Sequence, residues 1–522
     1  MNKPILLHVL GLICSLEAYK VLVLYPFPIR SMNLLGEGQV RHLLKAGHEV
    51  TFITTFPIKK EAKNLRQIDI SNNVKAMGAD SSGYTIKNVM DNMIPKNDAP
   101  MLQEFSYILA KLTFENENVT KLIEDETERF DVVIADLYET EVFAGLSALY
   151  NCPMIWSYSM GAHWQALRLL DEPTNPAYTA DYLSSNVLPF TFSQRVEELW
   201  AQIKWTWFKK TNTMPKEKEL YEQLFRPLLQ NRARRLPDYE KLIYNASMIF
   251  SNEHHSFGNI PSLPQNFRFI GGQHIEKSSD PMPQDLQKLM DDSKDGVIYF
   301  SMGSAWSSTG MPTSVKEDLL NIFGELKQTV IWKYEEDLPN VPKNLKIVHW
   351  APQQSILDHP NCLFFITHGG HLSSTEAIHF GVPIIGIPVY LDQFVNINKA
   401  AAKDYAIRVP LNYDLGKNLK EAIQTMLTEL RYKRKAKELS AIYHDRPVQP
   451  GQELVYWVEH VIKTSGAPHL RSPALHTPCY QKLYLDLVAV IAGICVLLLA
   501  ALKLVIRSLR SGDKKGRKEK IN

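Results

Sequence analysis

The stretch from Trp350 to Gln393, WAPQQSILDHPNCLFFITHGGHLSSTEAIHFGVPIIGIPVYLDQ, constrains the fold of this chain more than any other. Cys362 to Thr367 is an apolar run of strand length, and His368-Gly369-Gly370 breaks it. Ser373 to Phe380 reads as a helix, with Ser373 or Ser374 placed to cap its start and Gly381 to stop it. Val382 to Val389 is a second apolar run. A helix that opens at a Gly-rich turn after a buried strand presents free backbone N–H groups to an anion. Local physics therefore predicts a phosphate-bearing ligand over this turn.

The same alternation runs through the rest of the chain. Tyr19–Tyr25 is an apolar strand, Pro26–Asn33 a loop with two prolines, Leu34–Lys45 a helix stopped by Gly47, and Glu49–Thr55 a second strand. That βαβ pattern predicts a parallel sheet with a right-handed crossover. Phe130–Ala135, with Asp136 at its end, and Cys152–Tyr158 extend it, and Met248–Ser251 and Phe267–Ile270 close it. Residues 165–240 lack strand signals and read as helices and loops. Residues 271–284 break the periodicity with Gly, Ser and Pro and form the best linker. Five more strands follow, at Val297–Phe300, Val330–Trp332, Lys346–His349, Leu363–Thr367 and Pro383–Pro388, with the clearest helices at Ser314–Lys327 and Leu419–Leu439. The expected fold is α/β, with two parallel-sheet αβα domains and a cleft between them.

Both ends carry targeting signals. Lys3, the apolar run Ile5–Leu16 and Glu17-Ala18 fit a signal peptide over residues 1–18. Leu487–Leu502 is free of charge, and the run extends to Ile506 if Lys503 snorkels, close to the ~17–25 residues that a spanning helix needs. The transmembrane helix is placed at 483–506, with a basic tail at 507–522. By the positive-inside rule that tail is cytoplasmic, which makes the chain a type I protein with its domains in the lumen. Lys518 and Lys520 near the end resemble an endoplasmic-reticulum retrieval signal, and Asn118 and Asn245 open glycosylation triplets. The net charge of +2, with no basic block inside the globular part, gives no reason to expect a nucleic-acid partner. The five cysteines are widely spaced and imply no disulfide framework, and no metal-ligand spacing occurs.

The Trp350–Gln393 block resembles the signature box of the UDP-glycosyltransferases in both composition and spacing. Trp350-Ala351-Pro352-Gln353 opens it, His368-Gly369-Gly370, Ser373 and Glu376 follow, and Asp392-Gln393 closes it. The likeness extends to Ala46–Thr55, Gly296–Ser304, Gly466–Leu475 and the span with its tail, and is greatest to the membrane-bound insect enzymes. It implies a GT-B fold with an acceptor domain at 19–275 and a UDP-sugar domain at 285–445. A return helix and juxtamembrane segment fill 446–482. The implied reaction is metal-independent and inverting, with UDP-glucose or a related UDP-sugar as co-substrate and no cofactor. The resemblance places Trp350 on the uracil, Gln353 and Glu376 at the ribose, and His368, Gly370, Ser373 and Ser304 at the diphosphate. Asp392 and Gln393 read the sugar. Partners implied are a small lipophilic acceptor, the membrane and, as an open option, a second copy of the chain. The acceptor pocket is expected in the first domain, with the aromatic stretches Tyr158–Trp164 and Trp200–Phe208 suited to apolar molecules.

Two departures matter. Leu391 stands where relatives often carry Gly before Asp-Gln. In the first loop, relatives carry a His that serves as general base on the acceptor, and this chain reads Arg30-Ser31-Met32-Asn33. The base position is Met32, while its usual orienting partner is present as Asp136. A thioether accepts no proton at neutral pH, and general base catalysis is worth ~10²–10⁴-fold. Three readings remain open: transfer to acidic, pre-ionised acceptors; replacement of the base by Asp136 with a raised pKa, or by His163; or binding of UDP-sugar without transfer.

Overall fold

The computed structural model describes residues 18–76, 85–94, 98–258, 261–275, 282–303 and 310–518. The signal peptide at 1–18 falls, but for its last residue, outside the described residues, as does Ser304.

The chain up to Arg471 forms one compact unit with two parallel sheets. The first contains β1 (Lys20–Tyr25), β2 (Glu49–Thr54), β3 (Leu65–Asp69), β4 (Val132–Asp136), β5 (Met154–Tyr158), β6 (Met248–Ser251) and β7 (Phe267–Phe269), in the order β3-β2-β1-β4-β5-β6-β7. The second contains β8 (Val297–Ser301), β9 (Thr329–Lys333), β10 (Leu345–Val348), β11 (Cys362–Thr367), β12 (Ile384–Gly386) and β13 (Ala406–Arg408), in the order β10-β9-β8-β11-β12-β13. Helices cover both faces, as they must when strands such as VLVLY and VVIAD are buried along their whole length. This is the expected α/β architecture. The strand order reverses between β1 and β4 in one sheet and between β8 and β11 in the other. Such switch points open a crevice at the carboxyl ends of the strands, where ligands bind.

Four local expectations change. The first helix spans Arg30–Lys45, so the loop before it is shorter than expected and Met32 lies in the first helical turn. Pro26 and Pro28 hold only the preceding residues extended, and Ile29 (φ −120°) accepts from the Met32 and Asn33 N–H groups. The single helix read over 419–439 is two, Leu415–Thr428 and Arg431–His444. Thr425 and Thr428 turn their hydroxyls onto carbonyls four residues back, and Glu429 leaves the helix. Strands β3 (LRQID) and β13 (AIR) gave no sequence signal, because both are short, partly polar sheet edges. The fourth change, in the glycine turn, belongs to the site below.

The helix Pro450–Lys463 returns to the first domain, where Leu454, Val458 and Val461 join the core of Val21, Val23, Leu35 and Val40. Contacts between the domains include His371 Nε2 to the Asn252 carbonyl at 2.7 Å and the Tyr443 hydroxyl donating to the Gly271 carbonyl at 2.9 Å.

Residues from Ser472 onward form a second unit. Its helix runs Leu485–Lys518, and Leu485–Leu509, which contains an 18-residue stretch of mean hydropathy 2.8, is long and apolar enough to cross a membrane.

Candidate active site

The second switch point is built around His368, which follows β11 directly. The helix behind it starts at His371, with Gly370 (φ −58°, ψ 147°) as its cap. Ser373 and Ser374, expected at the cap, therefore sit inside the first turn, and the Ser374 N–H already bonds the Gly370 carbonyl. The imidazole of His368 is wedged between two glycines. A Cβ at Gly303 would stand 2.5 Å from the ring, and one at Gly370 2.6 Å. A glycine at 370 is thus required by close packing, which displaces the cap from the serines. Gly381 ends the helix in the left-handed conformation (φ 67°), as its sequence predicts.

Burial, and then the charge of Lys333, lower the His368 pKa to about 4. The ring is neutral at physiological pH, and its single N–H can donate to an anion without adding charge. Positive potential comes instead from the free N–H groups of the helix start and from Lys333 at the end of β9. Lys333 is buried, and its ammonium donates to the Gly303 carbonyl at 2.9 Å and pairs with Glu335. The sequence reading did not single out Lys333, because a lone lysine at a strand end carries no motif.

One helix away, Trp350 is 62% exposed, a bare aromatic face of the kind a planar base stacks on. Gln353 opens the next helix, Gln353–Asp358. Its amide donates to Glu376 and, at 3.2 Å, to the Ser373 hydroxyl. Glu376 also accepts from Gln354 at 2.9 Å, and His274 Nε2 lies 3.4 Å from it. Burial pushes the Glu376 carboxyl up, but His274, Gln353 and Gln354 outweigh it and hold it below its ordinary value. Gln353, Ser373 and Glu376, from two successive helices, are thus joined by hydrogen bonds, and Trp350 lies three residues before Gln353. His274 comes from the segment after β7 and joins them only through the domain packing, so no local signal could have revealed it.

Asp392 and Gln393 begin the helix Gln393–Ala402. The Asp392 carboxyl accepts from Asn396 at 2.8 Å, and Asn396 also donates to the Gly369 carbonyl at 3.1 Å. Burial raises the Asp392 pKa against the opposing influence of His371 and Asn396. The Gln393 carbonyl oxygen accepts from the Val389 and Tyr390 N–H groups, at 2.8 and 3.0 Å, so its amide N–H groups are what remains for a ligand. Leu391 adopts φ 56°, a left-handed conformation that costs a non-glycine residue roughly 1–2 kcal/mol. The position has the conformation that glycine favours, and the leucine is held there by half-burial against the core.

The first switch point has a different character. Asp136 ends β4 beside Tyr25 of β1, and it is 1% exposed. Among the described residues, neither of its oxygens has a hydrogen-bond partner. Burial raises its pKa well above the carboxylate range. Next to it, the Tyr25 hydroxyl and Ser157 hydroxyl are 2.5 Å apart, and the Gln39 amide donates to both, at 2.9 and 2.6 Å. None of these bonds reaches Asp136, and the Gln39 side-chain oxygen is itself without a partner among the described residues. Met32, from the helix start on the same crevice, is buried in the core with Phe27 and Tyr138.

Tyr138 joins the two halves electrostatically. Burial raises its pKa, followed by Glu139, Tyr390, Asp392 and Asp136, so one phenol feels carboxylates of both domains. Tyr158 is buried with an unpartnered hydroxyl among the described residues, and its pKa is also raised by burial, then by Glu139, Asp181 and Asp392. His163 caps the short helix Trp164–Leu167. Burial, then Lys399 and His371, hold its pKa well below the ordinary value. Of the two aromatic stretches expected around the acceptor, Tyr158–Trp164 lies at this crevice. Trp200 and Trp207 do not, since they point outward and are 61% and 70% exposed.

Comparisons with known proteins agree with this arrangement. The sequence profile of the family described as UDP-glucoronosyl and UDP-glucosyl transferase matches residues 25–518. UDP-glucosyltransferase 2 of Dactylopius coccus is 31% identical over 472 residues, covering 90% of this chain and 89% of that protein. UDP-glucuronosyltransferase 2B13 of Oryctolagus cuniculus is 31% identical over 421 residues, covering 77% and 74%. Among solved structures, the calicheamicin glycosyltransferase CalG4 superposes with TM-score 0.53 at 14% identity, over 86% of this chain and 99% of that one. The glycosyltransferase VinC, solved in complex with DTDP, superposes with TM-score 0.54 at 14% identity, over 85% and 99%. The structural matches establish the GT-B fold.

Proposed function

This chain belongs to the UDP-glucoronosyl and UDP-glucosyl transferase family, and on that premise we propose that it moves a hexose, with glucose first in order, from its UDP-sugar to a neutral hydroxyl of a small lipophilic acceptor, using Asp136 as the base. Transfer of sugar from a UDP-sugar is the family's reaction, and the acceptor class, the sugar and the base are what is proposed beyond it. The observation that carries it is the state of Asp136. A buried carboxylate with no partner is a stronger base than an ordinary one. It stands at the switch point where relatives are expected to hold a His, and Met32 leaves the position without another base.

The surroundings favour this over transfer to a pre-ionised acceptor. Glu139, Asp181 and Asp392 all have pKa values raised by burial and act on the tyrosines around the crevice. An anionic acceptor would meet repulsion from any of them that is ionised. His163 is a poorer base than Asp136, because its burial weakens the imidazole.

On the donor side, Trp350 would stack on uracil, and Gln353 and Glu376 would take the ribose. Gly370, Ser373, His368 and Ser304 would hold the diphosphate, and Asp392 and Gln393 the sugar. Negative charge grows on the diphosphate as the glycosidic bond breaks, so fixed N–H dipoles aimed there lower the barrier. An acceptor deprotonated by Asp136 that attacks the face of the sugar opposite the leaving diphosphate would give inversion. The UDP-sugar enters as co-substrate, and the helix start with Lys333 supplies the positive field. For localisation, the span Leu485–Leu509 followed by Arg and Lys residues supports a type I placement in the endoplasmic-reticulum membrane, with the domains lumenal.

The test is UDP-glucose turnover by the full-length protein against phenols, alcohols, carboxylic acids and thiols graded by pKa. The expected outcome is transfer to neutral hydroxyls, with kcat/KM rising on the alkaline side of the ordinary carboxylate range. Preference for acids, with a pH profile tracking the acceptor, would remove Asp136 from its role. UDP binding with no turnover on any acceptor would make the chain a UDP-sugar-binding protein.

A further inference from the structure

The segment that leaves the first domain is held between helices of both domains. Leu35, Arg41 and His42 of the helix Arg30–Lys45 hold it from one side. The Gln273 amide donates to the Leu35 carbonyl at 2.9 Å, His42 Nε2 donates to the Gln273 carbonyl at 2.9 Å, and Arg41 donates to the His274 carbonyl at 3.1 Å. A Cβ at Gly38 of that helix would stand 2.9 Å from the His274 Cα. From the other side, Tyr443 and Arg446 both donate to the Gly271 carbonyl, at 2.9 and 3.0 Å. The backbone at His274 is thus fixed, and only its side chain is left to choose a partner.

That side chain is 1% exposed, and its Nε2 lies 3.4 Å from Glu376 Oε1. A well-formed charge-assisted bond is ~2.7–2.9 Å long. Among the described residues neither ring nitrogen makes a hydrogen bond, and a buried polar group left so is rare. Glu376 supplies a reason. Its Oε1 accepts from Gln354 and its Oε2 from Gln353. Each carboxylate oxygen has about two acceptor sites, so a bond from His274 would fill Oε1 and leave the open site on Oε2.

We propose that His274 is a positioning residue of the donor site: when a ribose hydroxyl donates to Glu376, the His274 N–H closes onto Oε1 and aims Oε2 at that hydroxyl. A bound nucleotide excludes water from the cleft, and the attraction between a ring N–H and a carboxylate strengthens as water leaves. Because the segment is seated on the helix whose first turn holds Met32, the ribose contact is tied to the acceptor domain. The inference rests on the reading of Glu376 as the ribose carboxylate.

The test is calorimetric binding of UDP and of 2′,3′-dideoxy-UDP to the full-length protein. The wild type should prefer UDP by about 10–100-fold, and Glu376→Gln should lose most of that preference. His274→Leu, which removes the N–H at similar volume, should lose about 3–10-fold of it, with affinity for the dideoxy analogue unchanged. His274→Gln, which keeps an N–H donor, should recover most of the loss. His274→Leu added to Glu376→Gln should cost nothing more. No preference in the wild type, or one untouched by Glu376→Gln, overturns the ribose reading and this inference with it. A preference lost in Glu376→Gln but kept in His274→Leu overturns the inference alone. Equal weakening of both ligands in His274→Leu, or no recovery in His274→Gln, makes His274 a packing residue and overturns it too. In the wild type, amide exchange at residues 271–274 should slow more with UDP than with saturating dideoxy-UDP, and equal exchange overturns the inference without any variant.

Discussion

The two switch points of this molecule are built on the same topology and finished in opposite ways. At the second, the buried Glu376 has its charge answered by Gln353, Gln354 and His274, and Asp392 is bonded to Asn396. At the first, Asp136 is equally buried and has no partner among the described residues. A satisfied carboxylate stays ionised and holds a fixed shape. An unsatisfied one has its pKa raised by desolvation, which makes its ionised form a stronger base. The contrast is what the proposed division between donor binding at the second switch point and base catalysis at the first rests on.

The sharpest way to break this contrast is Asp136→Asn. If Asp136 is the base, kcat/KM falls by ~10²–10⁴-fold while UDP affinity, measured by calorimetry, stays the same. Equal loss of UDP affinity would place Asp136 in the binding part. The donor side is tested by Glu376→Gln, which leaves the Gln353 and Gln354 amides without a charged acceptor. The KM for UDP-glucose should rise by about 10–100-fold with a much smaller change in kcat.

Met32→His exchanges the character of the first site. An imidazole at the helix start would give Asp136 a partner, lower its pKa and serve as base itself, raising turnover on ordinary phenols by about tenfold or more. No change in rate would mean that position 32 does not face the acceptor.

The same residue makes a stability prediction. The folded pKa of Asp136 is raised, so the folded state holds its proton more tightly than the unfolded chain does. Its contribution is fully present below an unfolded pKa of about 3.9, and is lost as pH rises through the folded value. Thermal melts across that window should show the wild type falling relative to Asp136→Asn, and parallel curves would remove the desolvated carboxyl.

The smallest effect is expected from Leu391→Gly. Relief of roughly 1–2 kcal/mol of backbone strain is offset by lost packing, so Tm should move little. The readout is donor range, where KM values for UDP-sugars bulkier than UDP-glucose should fall if Leu391 narrows the sugar pocket.

Much of this was legible before any fold was known. The parallel sheets follow from fully apolar strands separated by helical periods, and the glycine turn at 368–370 before a helix start was expected to suit an anion. The spacing of Trp350, Gln353, His368, Glu376 and Asp392 carries the resemblance to the family's signature box, from which their proposed donor roles come. Local reading failed where the deciding neighbour was not local. The serines near position 373 looked like caps until His368 was seen pressed on Gly370. Trp200–Phe208 looked like pocket lining until Glu198, which accepts from the Asp181 N–H and the Asn186 amide, was found anchoring the other face of that helix.

The sequence by itself determined which residues are available: a Met where a base was expected, an Asp at the end of β4, and an apolar span before a basic tail. Only the tertiary structure decided what state they are in. Whether Asp136 is a partnered anion or a desolvated acid depends on the neighbours that β1, β5 and the first helix bring to it. Tyr25, Ser157 and the Gln39 amide N–H groups bond one another and not Asp136, and no spacing along the chain encodes that.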